Sequence, residues 1–296
     1  MIRAKGELIR FATRDGLLLD GFLIPTKHRD ACVVHIHGMT GNFYGGSLQF
    51  AIASQLDKKS IALLTINTRG HDAISSAYRT PAKIKKSKAK RLSIGTNLER
   101  FEDCVLDIDG AIKELKKLGY KRFFLSGHST GCQKITYYQY KKEQPAVKGL
   151  ILLAPGDDYN AQKRDLGVHF GAVVSKCRRL IKAKEGGKTE GIPRGFSARR
   201  FLSVADLKNA EARLFDYDGP LKEVGSIKAP ILAIFGSRDE TAIKPVKKYM
   251  KTLTSKRAGK PFSFAIIKGA KHSFGKHEDD VAKIVSKWAA ERLGKA

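Results

Sequence analysis

The 296-residue sequence has only four cysteines, Cys32, Cys104, Cys132 and Cys177, spread far apart with no Cys-x-x-Cys pair. That scarcity excludes a dense disulfide framework and argues against a zinc site. Three of the four lie inside apolar stretches, so they read as small reduced core residues. Acidic residues are scarce too: 29 Asp and Glu stand against 56 Lys and Arg, for a formal net charge of +27. A field of that sign favours anionic partners, nucleic acid included, but says nothing about fold. The basic runs almost lack interleaved aromatics, and no nucleic-acid motif is recognisable, which argues against a nucleic-acid partner. No apolar run approaches the roughly 18 residues that span a bilayer. The opening residues 1–7 hold no apolar signal core, so the expectation is a cytoplasmic protein without a membrane span.

What is present is ordinary globular composition, with 42% hydrophobic and 29% charged residues, enough to bury a sizeable core. Residues 7–13 and 17–24 read as strands joined by the Arg14-Asp15-Gly16 turn, an antiparallel hairpin. Short runs apolar on both faces follow at 31–37, 61–66, 122–126, 147–154, 231–235 and 262–267, the pattern of a parallel sheet interior. Helical spacing of apolar residues recurs at 47–58, 98–118, 131–142, 244–253 and 277–293. The alternation predicts an α/β fold, a mostly parallel sheet with helices on both faces. Residues 79–91 carry seven Lys or Arg in thirteen and read as an exposed loop. Residues 156–225 interrupt the rhythm with helical pieces at 173–183 and 205–215 around a glycine-rich, basic centre. So long a stretch is expected to be a cap inserted into a core formed by residues 1–155 and 226–296.

The strongest chemical signal is Gly127-His128-Ser129-Thr130-Gly131, directly after an apolar strand and before a helical pattern. A nucleophilic serine needs this setting: a sharp strand-to-helix turn lifts its Oγ above the sheet, and small residues two places either side let strand and helix approach. The Thr130 amide, opening the helix, then points at a developing oxyanion. His37-Gly38-Met39-Thr40-Gly41-Asn42 follows an earlier strand, where small residues let the backbone curl over the nucleophile and offer the Met39 amide as second donor. A plain glycine-rich turn is the bland alternative, and a phosphate loop lacks its Gly-Lys-Ser/Thr ending.

An acid and a base must follow in chain order. Asp239 lies just after the strand at 231–235, at the sheet edge where sites form, although a loop Asp also serves as a helix cap. His272 lies after the last strand, where a general base is needed. Asp157 and Asp158, after the preceding strand, are the alternative acid. His35 is expected in the core, Thr68-Arg69-Gly70-His71-Asp72 reads as a bracing turn, and His169 and His277 have no partner pattern for a metal.

These segments resemble the α/β-hydrolase superfamily in order and spacing over nearly the whole chain. The His-Gly-x-Thr-Gly-Asn loop is similar to that of feruloyl/cinnamoyl-type esterases and serine aminopeptidase-like hydrolases. The stretch from Gly127 to Gln133 resembles a fungal and plant hydrolase group that includes siderophore esterases. The resemblance implies a serine esterase working through an acyl-enzyme: Ser129 as nucleophile, His272 as base, Asp239 as acid, and the Met39 and Thr130 amides as oxyanion donors. Gly38, Gly127 and Gly131 are the spacing glycines, and no metal or other cofactor is required. Amide or peptide hydrolysis is the alternative, as is a basic anion- or nucleic-acid-binding protein on a hydrolase scaffold. The expected partner is a small-molecule ester. Residues 168–200 hold nine Lys or Arg and two Glu, and a cap above Ser129 with that charge would gather anionic esters.

Overall fold

The computed structural model describes residues 4–83 and 90–294. In chain order the strands are β1 (Glu7–Ala12), β2 (Leu17–Ile24), β3 (Ala31–Ile36), β4 (Ala62–Ile66), β5 (Ser75–Arg79), β6 (Arg91–Ile94), β7 (Arg122–His128), β8 (Val147–Leu153), β9 (Ile231–Gly236) and β10 (Phe262–Ile267). They form one sheet in the order β10-β9-β8-β7-β3-β4-β2-β5-β6, with β1 paired to β2. From β10 to β4 all neighbours are parallel. The β1–β2 hairpin and the β5–β6 pair extend the sheet antiparallel. This is the expected α/β architecture.

Helices α1 (Leu48–Asp57), α2 (Cys104–Lys117) and α3 (Thr130–Lys142) connect the strands as far as β8. Between β8 and β9 come α4 (Asp158–Leu166), α5 (Phe170–Lys182), α6 (Ala198–Ala205), α7 (Ala210–Leu214) and α8 (Lys222–Ser226), and the chain closes with α9 (Val246–Lys256) and α10 (Glu278–Arg292). The strand period of two explains the two-sided core. On β3, Cys32, Val34 and Ile36 pack on one face with α2, α3 and α9, while Ala31 and Val33 pack on the other with α1 and α10. On β8, Leu150 and Leu152 share the first face, and Ile151 and Leu153 the second. Each Val, Leu or Ile side chain among these contributes about 1.5–3 kcal/mol by leaving water. All four cysteines are buried and unpaired. No helix among the described residues is long and apolar enough to cross a membrane.

Local chemistry moves several boundaries. The 98–118 helix begins only at Cys104, after an extended Arg100 (φ −90°, ψ 119°) and a 3-10 turn over Phe101–Asp103. The 244–253 helix begins at Val246, after Pro245, since the residue before a proline is held out of helical conformation. Of the helix expected over 205–215 only α7 forms, at 210–214, and Ala205 is the last residue of α6. Asp206 is extended (φ −131°, ψ 113°) and its carboxylate takes the Lys208 amide and Arg178, a local bond that competes with the helix. The basic stretch 79–91 is not a plain loop: Arg79 ends β5 and Arg91 opens β6, with Ala77 and Ile94 buried in the core. Residues 84–89 of that stretch lie outside the described residues. Basic side chains are ordinary on a sheet edge, where they discourage pairing with another chain.

Candidate active site

Strand β7 delivers Ser129 to the end of the sheet and α3 starts with the next residue. Ser129 itself is left in a strained backbone state, φ 53° and ψ −125°, of the sort that costs about 1–3 kcal/mol and clusters at functional sites. The glycines have a steric reason. A Cβ on Gly127 would lie 2.3 Å from the Gly131 carbonyl group, and one on Gly131 the same distance from the Ile36 oxygen. A Cβ on Gly38 would stand 3.0 Å from the Ser129 Cβ, so the β3 loop runs directly against the elbow.

Asp239 and His272 meet. Both carboxylate oxygens lie 3.0 Å from the His272 Nδ1. An ionised carboxylate can only accept, so a proton resides on Nδ1, and in the neutral ring Nε2 is then the acceptor nitrogen. Thr241 completes the group: its hydroxyl donates to Asp239 Oδ1 at 2.8 Å and lies 2.9 Å from the same Nδ1, and its amide donates at 3.0 Å. Burial by itself would push the Asp239 pKa up. The hydrogen bond and charge of His272, with the bonds from Thr241, outweigh it and hold the carboxyl below its ordinary value. Glu240 accepts the His272 amide at 3.0 Å. His128 donates from Nε2 to the His272 carbonyl at 2.9 Å, and burial with the nearby His272 pushes its pKa down to about 4, so it is neutral. Thus three residues that the sequence reading had not singled out, Thr241, Glu240 and His128, fix the histidine loop. The nearness of Thr241 to Asp239 and of His128 to Ser129 was the available signal.

The alternative acids are elsewhere. Asp157 caps α4 by accepting the Asn160 amide at 3.1 Å, and Asp158 accepts from Gln133 at 2.7 Å. Neither bonds to His272. Burial, reinforced by the charge of Glu211, pushes Asp158 up to about 7.

The Gly38 carbonyl accepts from His37 Nδ1 at 2.8 Å and from the Gly41 amide at 3.0 Å. A trans peptide is planar, so the Met39 N–H in the same unit faces the opposite way; among the described residues it has no acceptor. The Thr130 amide, first in α3, has no acceptor within the helix. Behind His37 runs a buried chain. His37 Nε2 accepts from the Thr68 amide at 3.2 Å, and Lys134 donates to the Thr68 hydroxyl at 3.1 Å and to Glu99 at 2.8 Å. Arg200 from α6 stands 3.6 Å from Glu99 and pairs with Glu211.

Ser129, His272, Gly38 and Met39 open on one cavity of about 500 Å³. Its walls come from residues 35–49, 128–129 and 272–278, and no residue of 156–225 lines it. The basic residues of 168–200 are outside it: Arg178 pairs with Asp206, Arg194 with Asp165 and Lys188 with Glu185, while Arg200 is buried. The 156–225 segment touches the site through Met39, which packs on the apolar cluster of Val174, Phe196 and Phe201. His35 is buried, with Nδ1 3.1 Å from the Ser126 hydroxyl. Arg69 is held by Asp15, Asp103 and Asp107, so the turn after β4 braces loops as expected. The His277 ring lies 3.4 Å from Asp280.

A family model described as "Protein of unknown function (DUF1749)" matches residues 95–293, the greater part of the chain. The protein belongs to the DUF1749 family. The match includes Ser129, Asp239 and His272 and leaves out the Gly38 loop. Comparison with curated proteins returns no match. Among solved structures, this DUF1749 protein resembles Est1E from Butyrivibrio proteoclasticus with ferulic acid bound (16% identity, 96% of this chain and 99% of that one, TM-score 0.63). It also resembles the siderophore hydrolase EstB from Aspergillus fumigatus (16%, 99% and 97%, TM-score 0.65). A third is the acylaminoacyl peptidase from Pyrococcus horikoshii (18%, 99% and 42%, TM-score 0.63). At these identities the likeness establishes the α/β-hydrolase fold, which hosts many chemistries.

Proposed function

We propose that this DUF1749 protein is a serine hydrolase that cleaves carboxylic esters. The observation that carries the reading is the contact of both Asp239 oxygens with the His272 Nδ1 at 3.0 Å, on the loops facing a strained Ser129. With Nδ1 protonated, Nε2 is free to take the Ser129 proton as Oγ attacks the ester carbonyl. The Met39 and Thr130 amides receive the oxyanion. The alcohol leaves with the proton from His272, and a water activated by the same nitrogen releases the acid. Ser129 Oγ makes no hydrogen bond among the described residues; such bonds often close only in the reacting complex. Residues 156–225 act in this reading as a cap, with Met39 as its point of contact with the oxyanion loop. A purely polyanion-binding role gives no reason for the backbone strain at Ser129 or for the buried Asp239.

Labelling by a fluorophosphonate probe, followed by hydrolysis of p-nitrophenyl esters of graded length, tests the proposal. Ser129→Ala should abolish labelling and lower kcat by ~10⁶, the scale of a nucleophile deletion. Retention of a tenth of wild-type activity would overturn it.

A further inference from the structure

The cavity that Ser129 and His272 share carries one acidic side chain and no Lys or Arg among the described residues. The acid is Glu278, first residue of α10. Three acids occupy the first turn of that helix, and exposed Asp279 and Asp280 already complement its dipole. Glu278 is instead turned toward Ser47, at the N-terminal end of α1, whose hydroxyl donates to it at 2.6 Å. That bond, with the backbone amides of Glu278 and Lys276, outweighs burial and holds the carboxyl below its ordinary value, so the group is anionic at neutral pH. No Lys or Arg among the described residues pairs with it, in a chain that holds 56 of them. The wall histidines His35 and His128 bring no compensating charge, since burial pushes them down to about 3 and about 4. His37, also on the wall, is pushed well below its ordinary value by burial, and besides Ser129 and His272 the rest is glycine, Ser47, Ser273, Asn42, Gln49 and apolar surface.

Resting on the hydrolase reading above, we propose that this site prefers esters bearing a cationic group, an ammonium or guanidinium, on the part lodged against the Glu278 carboxylate, beside Ser47. The positive field of the whole protein does not oppose this at physiological salt. Charges beyond the screening length of about 8 Å are largely silenced, whereas a contact with the wall carboxylate is not. The preference is thus the reverse of what the net charge alone predicts.

The test uses two p-nitrophenyl esters of equal size, one ending in a trimethylammonium group and the other in a tert-butyl group. The wild-type protein should favour the cationic ester in kcat/KM by about fivefold or more, the worth of a partly exposed ion pair. Glu278→Gln should bring the ratio close to one, and Glu278→Asp, which keeps the charge, should retain most of it. A wild-type ratio at or below one overturns the inference without any variant, and so does a ratio unchanged by Glu278→Gln. Fluorophosphonate labelling of the same preparations separates the two failures. Labelling at Ser129 without charge preference removes this inference alone, whereas no labelling and no hydrolysis remove the hydrolase reading and this inference together.

Discussion

Gly131 packs so closely on Ile36 that a methyl group in place of its hydrogen would stand 2.3 Å from the Ile36 carbonyl oxygen. The elbow that carries Ser129 is therefore clamped to the strand that carries the Gly38 loop, with backbone on both sides of the contact.

Backbone cannot rotate away, so Gly131→Ala should destabilise the fold by roughly 3 kcal/mol, at the upper end of overpacking costs. Gly171→Ala, in α5 with no atom within 4 Å of the added carbon, should be neutral or stabilising by up to about 1 kcal/mol. Urea midpoints of the two variants check this. Equal midpoints would remove the clamp.

Asp239→Asn should lower kcat by roughly 10⁴, because His272 would lose the anion that fixes its tautomer. Asp157→Asn and Asp158→Asn should have little effect, since neither residue bonds to His272. Steady-state kinetics on one ester decide it; a damaging Asp158→Asn beside a mild Asp239→Asn would relocate the acid.

Lys134 is 2% exposed and holds both Glu99 and Thr68, the latter bonded to His37 behind the Gly38 carbonyl. Lys134→Met leaves a buried carboxylate short of its partner and should cost about 3–5 kcal/mol. If the chain also orients the Met39 amide, kcat should fall while KM holds, at a temperature where the variant is folded. An unchanged kcat would confine Lys134 to stability.

Buried histidines make stability depend on pH. His35 and His128 are pushed down to about 3 and about 4 by burial, and His37 well below its ordinary value. Between pH 6.5 and 4 the unfolded chain binds protons at these positions that the folded chain does not, so stability falls as pH falls. Asp158, pushed up to about 7, works in the opposite direction by roughly one proton. The net slope should be about 1–3 kcal/mol per pH unit. Denaturant midpoints at pH 6.5, 5.5 and 4.5 measure it. A flat profile would mean that these histidines are not buried as neutral rings.

Much of the fold was legible because its signals are local. Strands apolar on both faces, helical spacing between them and Gly-x-Ser-x-Gly at a strand-to-helix junction can be read within a dozen residues. The same holds for the positions of Asp239 and His272 after their strands. What misled was also local: the basic residues at 79–91 hid the ends of an edge hairpin, and the apolar spacing over 205–215 hid the break that Asp206 imposes.

The sequence by itself determined the α/β class, the elbow and the order of serine, acid and histidine, because these follow from periodicity and from chain order. Only the tertiary structure decided which carboxylate reaches His272, since Asp157, Asp158 and Asp239 all follow strands and differ only in where their side chains point. The same is true of Thr241 as a partner of both acid and histidine, of the Lys134–Thr68–His37 chain, and of Glu278 as the acid on the cavity wall. Each of these joins residues from different elements. Their meeting depends on how helices pack on the sheet, a matter of shape and burial that spacing along the chain does not encode.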